Sequence, residues 1–555
     1  MSKIDRRTLR IILTALHIAA MALFLVSLGR KLGLLQYPRM EMFAWMALFV
    51  PAYLLDKRRN GVLLFAGAAA AAVMTVSLLP TVTAMHERVE AVILCAKLAV
   101  ELLTLLFLAA ALSGKWKDTR LYVPAALFLG VLMLFALTPL AVPDEQAHYQ
   151  TAFALSQRLF FPHQTTVHPA YFDYSGLAGH YNTSAGYLRW VDELFRALPS
   201  AEPIGYAPAS VTYFPEYLLP ALGLALARSL GANFITAFLC GRLCNLLFFI
   251  ACLALALRLA PEKNKRTLGL IALLPITMQQ VASFSYDAFI FGLSLLYLAE
   301  FLRAYDGGAW SVRHVLLTAL SAVLLAPTRA VYMLLLLLLW LVPRERFGRR
   351  GRRALFFVLT LLLCAAVTLF FQRRTLSELS GVSEVKLNWE GQTNYTLGFV
   401  LSHPGETAAI LWRTLVKYFK FWFLQMHGYT LAGLTVNVHL RIPAVCMLLL
   451  LFSVSTRRSE NALFNGKERL FFALLLLLSG GMMMGVMLLA WTSDTRDVIE
   501  GVQGRYFLPV LPLFYLALEN RSLRRWARWE KYYLPVAVYA GAEAVMDLLT
   551  YTYFH

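Results

Sequence analysis

The sequence predicts an all-α polytopic membrane protein of about 13–16 transmembrane helices, and three observations carry that prediction. Apolar runs of about 15–25 residues recur from Leu9 to Leu549, the length needed to cross a hydrocarbon core. The chain is 59% hydrophobic and 15% charged, where soluble proteins carry about 25% charge. Its 51 Lys and Arg outnumber 32 Asp and Glu, and the excess gathers in short connectors at Lys57–Arg59, Lys263–Arg266, Arg344–Arg353, Arg457–Arg458 and Arg521–Arg528. That is the positive-inside pattern, so the basic surplus points to anionic membrane lipids and not to nucleic acid.

Taken in order from a cytoplasmic N-terminus, spans are expected near 10–28, 40–55, 62–79, 91–112 and 121–141. The first carries no small-residue cleavage site and is retained as an anchor. The chain then emerges at Pro143 into a structured external loop, 142–212, too long and too polar to span. Four apolar segments follow, 213–230, 233–258, 267–283 and 287–304. Crossing from outside to inside needs an odd number, and Pro215 and Pro220 make 213–230 the expected half-helix or surface helix. Two short runs, 314–326 and 330–343, meet at Pro327-Thr328-Arg329, a device that brings backbone and charge to membrane depth. A span at 354–371 leads to a second external region, 372–437, and spans at 440–455, 469–491, 506–520 and 532–550 complete the chain. All six cysteines lie inside apolar runs, so no disulfide framework is expected, and Cys240/Cys244 reads as helix packing.

The chemistry is sought where charge meets the membrane boundary. Val142-Pro143-Asp144-Glu145 is a good helix start, since carboxylates suit the positive end of the dipole. Asp144 and His148, four apart, also share one helical face, where a partly desolvated carboxylate accepts a proton from a hydroxyl. Arg329 lies between two apolar half-segments: it either snorkels to the surface or grips a lipid phosphate. Gln503-Gly504-Arg505-Tyr506 joins a close-approach glycine to a planar donor fork, suited to phosphate, or is a boundary anchor. Asp287 caps an apolar run or faces the site. Arg242, within an apolar run, has no evident structural need. His403 to His427 reads as an amphipathic interfacial helix with Glu406, Arg413, Lys417 and Lys420 on one face. There is no Walker loop, no zinc spacing and no nucleophile elbow. The Asp144-Glu145 pair leaves a divalent cation open as a cofactor, with no metal ligands assigned.

These residues form an ordered series: Pro143-Asp144-Glu145 with His148-Tyr149; Tyr213, Pro215, Tyr217 and Pro220; Ser283, Ser285 and Asp287; Thr328-Arg329 with Tyr332; His403-Pro404; and Gln503-Gly504-Arg505-Tyr506-Phe507 with Pro509. The series resembles bacterial membrane proteins of domain of unknown function family 2142, similar in turn to the GT-C glycosyltransferase superfamily, over roughly 120–525. The resemblance implies N-terminal helices over 1–120, a GT-C-like core over 121–525 with external loops 142–212 and 372–437, and a C-terminal span over 526–555. It implies an inverting glycosyltransferase of the plasma membrane, acting on the outer face. The donor would be a polyprenyl-phosphate-linked sugar and the acceptor a cell-envelope glycan or teichoic-acid-like polymer. Asp144, Glu145 and His148 are the candidate catalytic residues. Arg329, Arg505, Gln503, Tyr506, Asp287, Arg242, Tyr213 and His403 are the candidate substrate-binding residues. A flippase for lipid-linked sugars, or an envelope polysaccharide polymerase or ligase, are the alternatives.

Overall fold

The computed structural model describes scattered positions between 92 and 107, and residues 118–554 except 173–181, 195, 309, 349–350, 380–390, 455–463, 520–529 and 531. The spans expected before residue 90 therefore lie outside the described residues. The chain divides into two compact units, 1–117 and 118–555, and the second carries the candidate site.

The helices of the second unit are α1 (Asp118–Ala136), α2 (Glu145–Phe160), α3 (Ser184–Glu193), α4 (Leu218–Ser229), α5 (Phe234–Leu259), α6 (Glu262–Ala272), α7 (Pro275–Val281), α8 (Asp287–Tyr305), α9 (Val312–Leu325), α10 (Arg352–Leu379), α11 (Leu397–Ser402), α12 (Pro404–Met426), α13 (Arg441–Ser453), α14 (Gly466–Ala490), α15 (Leu511–Ala517) and α16 (Tyr533–Phe554). Among the described residues the only strands are two minimal antiparallel pairs, β1 (Thr166–Val167) with β2 (Ile204–Gly205) and β3 (Thr430–Leu431) with β4 (Val436–Asn437). The protein is an all-α polytopic membrane protein. Among the described helices, five are long and apolar enough to cross a bilayer: α1, α5, α8, α10 and α14. α9, α13 and a 3₁₀ helix over Ala330–Trp340 are shorter and apolar.

Proline decides where apolar runs fail to make single spans. The segment 267–283, expected as one span, is two helices, because Pro275 lacks an N–H and pushes Leu274 to an extended ψ of 137°. The span expected over 506–520 is a 3₁₀ turn, Gly504–Phe507, followed by the seven-residue α15; Pro509 and Pro512 break the run. α1 stops at Ala136, five residues short of the expected end, ahead of Pro139 and of Leu140 at φ 67°. In 213–230, Tyr217 precedes a short helix, α4, of twelve residues, too short to cross.

α5 and α8 form the centre, with α4, α1 and α9 packed against them. The first loop is tied down at its base. Tyr149 and Phe153 of α2 pack with Phe234, Phe238 and Phe284 in a buried aromatic core. Arg228 lies over Phe153 and Phe161 at 4.3 and 4.4 Å and donates to Gln157 at 2.6 Å. α12 has the amphipathic form expected. It buries Thr407, Ile410, Thr414, Trp422 and Gln425, and leaves Trp412, Arg413, Val416, Lys417, Phe419 and Lys420 exposed.

Candidate functional site

The connector from α1 to α2 sets the site. Glu145 begins α2 and is 1% exposed. Its carboxylate accepts from Arg242 Nε at 2.9 Å and Nη2 at 2.8 Å, from the Phe284 amide at 2.8 Å and from the Val142 amide at 3.4 Å. Arg242, on α5, spends its remaining donors on the carbonyls of Leu137 and Thr138, at 2.7 and 2.9 Å. The sequence reading placed Glu145 in catalysis and Arg242 on substrate. In the structure each fork atom and carboxylate oxygen is already engaged, so the pair clamps four chain segments together.

Asp144, one residue earlier, is held differently. It adopts φ 64°, a left-handed conformation that strains a non-glycine residue. Its carbonyl accepts from His148 N at 3.0 Å, but its side chain caps nothing and is 61% exposed, with Oδ2 3.2 Å from Arg505 Nη2. Arg505, 3% exposed, also reaches Gln280 Oε1 at 3.2 Å and Asp287 Oδ2 at 3.4 Å. Arg505 Nε is buried with no partner, as is Gln503 Oε1. This segment is fixed by the last turn of α12. Trp422 Nε1 donates to the Val502 carbonyl at 2.9 Å, and the Gly504 amide donates to the Gln425 side chain. A Cβ at Gly504 would lie 2.6 Å from the Trp422 carbonyl oxygen, so only glycine permits the approach.

Arg329 comes from the break between α9 and the 3₁₀ helix. Its Nη2 donates to Tyr286 Oη at 2.7 Å, and its guanidinium lies 3.7 Å over the Tyr506 ring. Tyr506 is positioned in turn by Tyr332, whose hydroxyl donates to the Tyr506 carbonyl at 3.0 Å. Among the described residues no carboxylate comes within 4 Å of Arg329. His148 does not meet Asp144. Its Nδ1 lies 2.7 Å from Tyr217 Oη, and its ring stands edge-on to Tyr286 at 4.7 Å. Burial, and then the charges of Arg505 and Arg329, push its pKa down to about 3, so it is neutral at physiological pH.

The structure thus gathers Asp144, His148, Asp287, Arg329, Gln503, Arg505 and Tyr506. It leaves Tyr213 and His403 elsewhere. Tyr213 donates to the Leu324 carbonyl at 2.8 Å and packs against Phe371. His403 is exposed at the start of α12, stacked on Phe399, about 30 Å along that helix from Gln425. Glu216 was missed by sequence reasoning. It sits in the 3₁₀ turn Phe214–Tyr217, half-buried, and burial raises its pKa well above the carboxylate range against the opposing pull of Arg329. The signal was there, since Glu216 adjoins Pro215 and Tyr217 of the motif series. Among the described residues no cluster of three His, Cys, Asp or Glu is arranged to hold a metal ion.

A helical membrane protein with arginines and carboxylates converging where α2, α8, the 324–332 break and the 503–506 turn meet is the class defined by fold and site. A comparison with known families is specific: the family described as a predicted membrane protein, DUF2142, matches residues 127–514, and the chain belongs to it. No curated protein and no solved structure matches the chain.

Proposed function

We propose that the protein is a multi-pass plasma-membrane glycosyltransferase that moves a sugar from a polyprenyl-phosphate donor to a cell-envelope glycan on the outer face. The observation that carries this reading is the pair of cations beside an exposed carboxylate. Arg329 has no acid within 4 Å among the described residues, and Arg505 keeps a buried, unpartnered Nε. Arg329 spends its donors on the Tyr286 hydroxyl and the Met483 sulfur, neither of them an anion; a buried guanidinium donor without an acceptor, as at Arg505, favours an anionic ligand, and the guanidinium fork suits phosphate.

In this mechanism the acceptor hydroxyl attacks the anomeric carbon while Asp144 takes its proton. The bond from that carbon to the bridging phosphate oxygen breaks, and its electron pair leaves on the polyprenyl phosphate, whose charge Arg329 and Arg505 stabilise. Asp287 and Gln280 orient Arg505, and Tyr506 supports Arg329 through its ring face. Glu145 and Arg242 hold the connector that carries Asp144. The basic connectors at 263–266 and 344–353 face anionic lipids on the opposite side.

The test uses the full chain in nanodiscs with polyprenyl-phosphate sugars of several hexoses. Transfer releases polyprenyl phosphate, whereas a flippase moves the intact lipid without breaking the bond. Release that disappears in Arg329→Ala and Arg505→Ala supports the transferase. Movement of intact donor without release in the wild type refutes it.

A further inference from the structure

The basic connector ahead of α10 encloses a space, which a merely charged loop does not need. The long 3₁₀ helix ends at Trp340, a short 3₁₀ turn follows over Arg344–Phe347, and α10 begins at Arg352. A cavity of about 400 Å³ lies here, lined by Trp340, Arg344, Glu345 and Arg353 around two glycines, Gly348 and Gly351. Both glycines stand at positive φ, 74° and 89°, a conformation that side chains avoid. A Cβ at Gly351 would meet nothing within 4 Å, and one at Gly348 only Arg352 Nη1 at 3.7 Å. The chain bends around the space and leaves it open. Its lining holds unspent donors. Arg353 commits Nη1 to the carbonyls of Trp340 and Val342, at 3.0 and 3.2 Å, and lays its guanidinium over the Trp340 ring at 4.9 Å. Among the described residues, Arg353 Nε and Nη2 have no acceptor, and the exposed Arg344 side chain makes no hydrogen bond or ion pair. Glu345, the one acid on the lining, pairs with neither arginine.

An apolar surface continues from this cavity. The bilayer-crossing stretch of α10 is only 17% buried, so most of its surface is left to lipid tails. Ala354, which also lines the cavity, opens a helical face that runs through Val358 and Leu362, with Leu355 and Leu359 alongside. All five are exposed. Trp340, 43% exposed, is of the residue type that sits at headgroup level. We propose that the cavity binds the headgroup of one anionic phospholipid, its phosphate on Arg344 and Arg353 and its acyl chains along the Ala354–Leu362 face of α10. A volume of this size suits a headgroup, and guanidinium donors without acceptors take phosphate oxygens. The apolar face selects a phosphate that carries tails over a free one. By the positive-inside pattern the lipid belongs to the cytoplasmic leaflet. A diffuse basic surface attracts such lipids with neither a cavity nor a track, so one saturable site distinguishes this proposal. It stands apart from the transfer chemistry, in which Arg344 and Arg353 have no part.

The experiment titrates dioleoyl-phosphatidylglycerol into the full chain in a non-ionic detergent and counts bound lipid by native mass spectrometry. The wild type should bind one phosphatidylglycerol saturably and prefer it to dioleoyl-phosphatidylcholine. Arg344→Gln removes a side chain without a structural partner and should weaken that binding about fivefold. Ala354→Trp fills the cavity with every charge intact and should weaken it at least as much. Arg458→Gln takes the same charge from another basic connector and should leave it unchanged. An equal loss in Arg458→Gln reduces the effect to diffuse attraction and overturns the proposal, as does unchanged affinity in both Arg344→Gln and Ala354→Trp. Equal binding of phosphatidylcholine shows that negative charge is not recognised, which also refutes it. Glycerol 3-phosphate that competes as tightly as the intact lipid makes this a free-phosphate site and overturns the lipid assignment.

Discussion

Replacing Arg242 by Met tests whether the Arg242–Glu145 pair is a clamp or part of the chemistry. The substitution keeps much of the volume but strips Glu145 of its two strongest partners, at 2.9 and 2.8 Å, and leaves the Leu137 and Thr138 carbonyls without a donor. A carboxylate 1% exposed is then left as an unpaired buried charge, and breaking a buried pair in this way typically costs about 3–5 kcal/mol. The variant should therefore unfold much more readily than wild type. Arg242→Met/Glu145→Leu should be more stable than Arg242→Met alone, because the charge left behind is gone. Thermal unfolding in nanodiscs at pH 7 measures this. An Arg242→Met protein as stable as wild type at pH 7 but inactive would return both residues to the reacting centre.

Three further outcomes are expected. Asp144→Asn should lower turnover by about 10²–10⁴-fold with thermal stability unchanged, since Asn tolerates the left-handed backbone at least as well; a variant within a few-fold of wild-type turnover would show that Asp144 is not the base. Gly504→Ala should displace the 503–506 turn from α12, because its Cβ would meet the Trp422 carbonyl oxygen at 2.6 Å, and should weaken farnesyl phosphate binding at least tenfold; unchanged binding would mean that the turn does not hold the anion. His148 is neutral when folded, with a pKa lowered to about 3, whereas the unfolded chain protonates it below about pH 6.5. Its contribution to stability is therefore complete above pH 6.5 and declines as pH falls, by about 2 kcal/mol at pH 5, and His148→Gln should remove that part of the acid sensitivity in unfolding measurements.

The helical class was legible because apolar length is a one-dimensional property, and α1, α5, α8, α10 and α14 fall where the runs are. Helix breaks were harder. Pro275, Pro509 and Pro512 were visible, but hydropathy averages over them, so 267–283 and 506–520 read as continuous spans. The site was partly legible, since Asp144, Arg329 and Arg505 stand at boundaries where charge is costly. The pairing of Glu145 with Arg242 was not legible, because a contact across 97 residues leaves no local trace. His148 falls on the expected face of α2, yet it turns to Tyr217, a partner 69 residues away. Glu216 went unweighed because a glutamate between Pro215 and Tyr217 looks like a surface residue until the fold half-buries its turn.

The 3₁₀ helix over Ala330–Trp340 is long for its kind. Its eleven residues reach about 22 Å, where an α-helix of the same length would reach about 16 Å. Both ends are fastened by an arginine on an aromatic face: Arg329 over Tyr506 at 3.7 Å, and Arg353 over Trp340 at 4.9 Å while donating to the Trp340 carbonyl at 3.0 Å. The run is a taut tether without slack. Rewinding it as an α-helix would shorten it by about 5 Å and draw Arg329 off Tyr506, whereas about four inserted residues would let the same end points be joined by a relaxed α-helix. The number of residues between Arg329 and Trp340 is thus a ruler for how deep the cation stands.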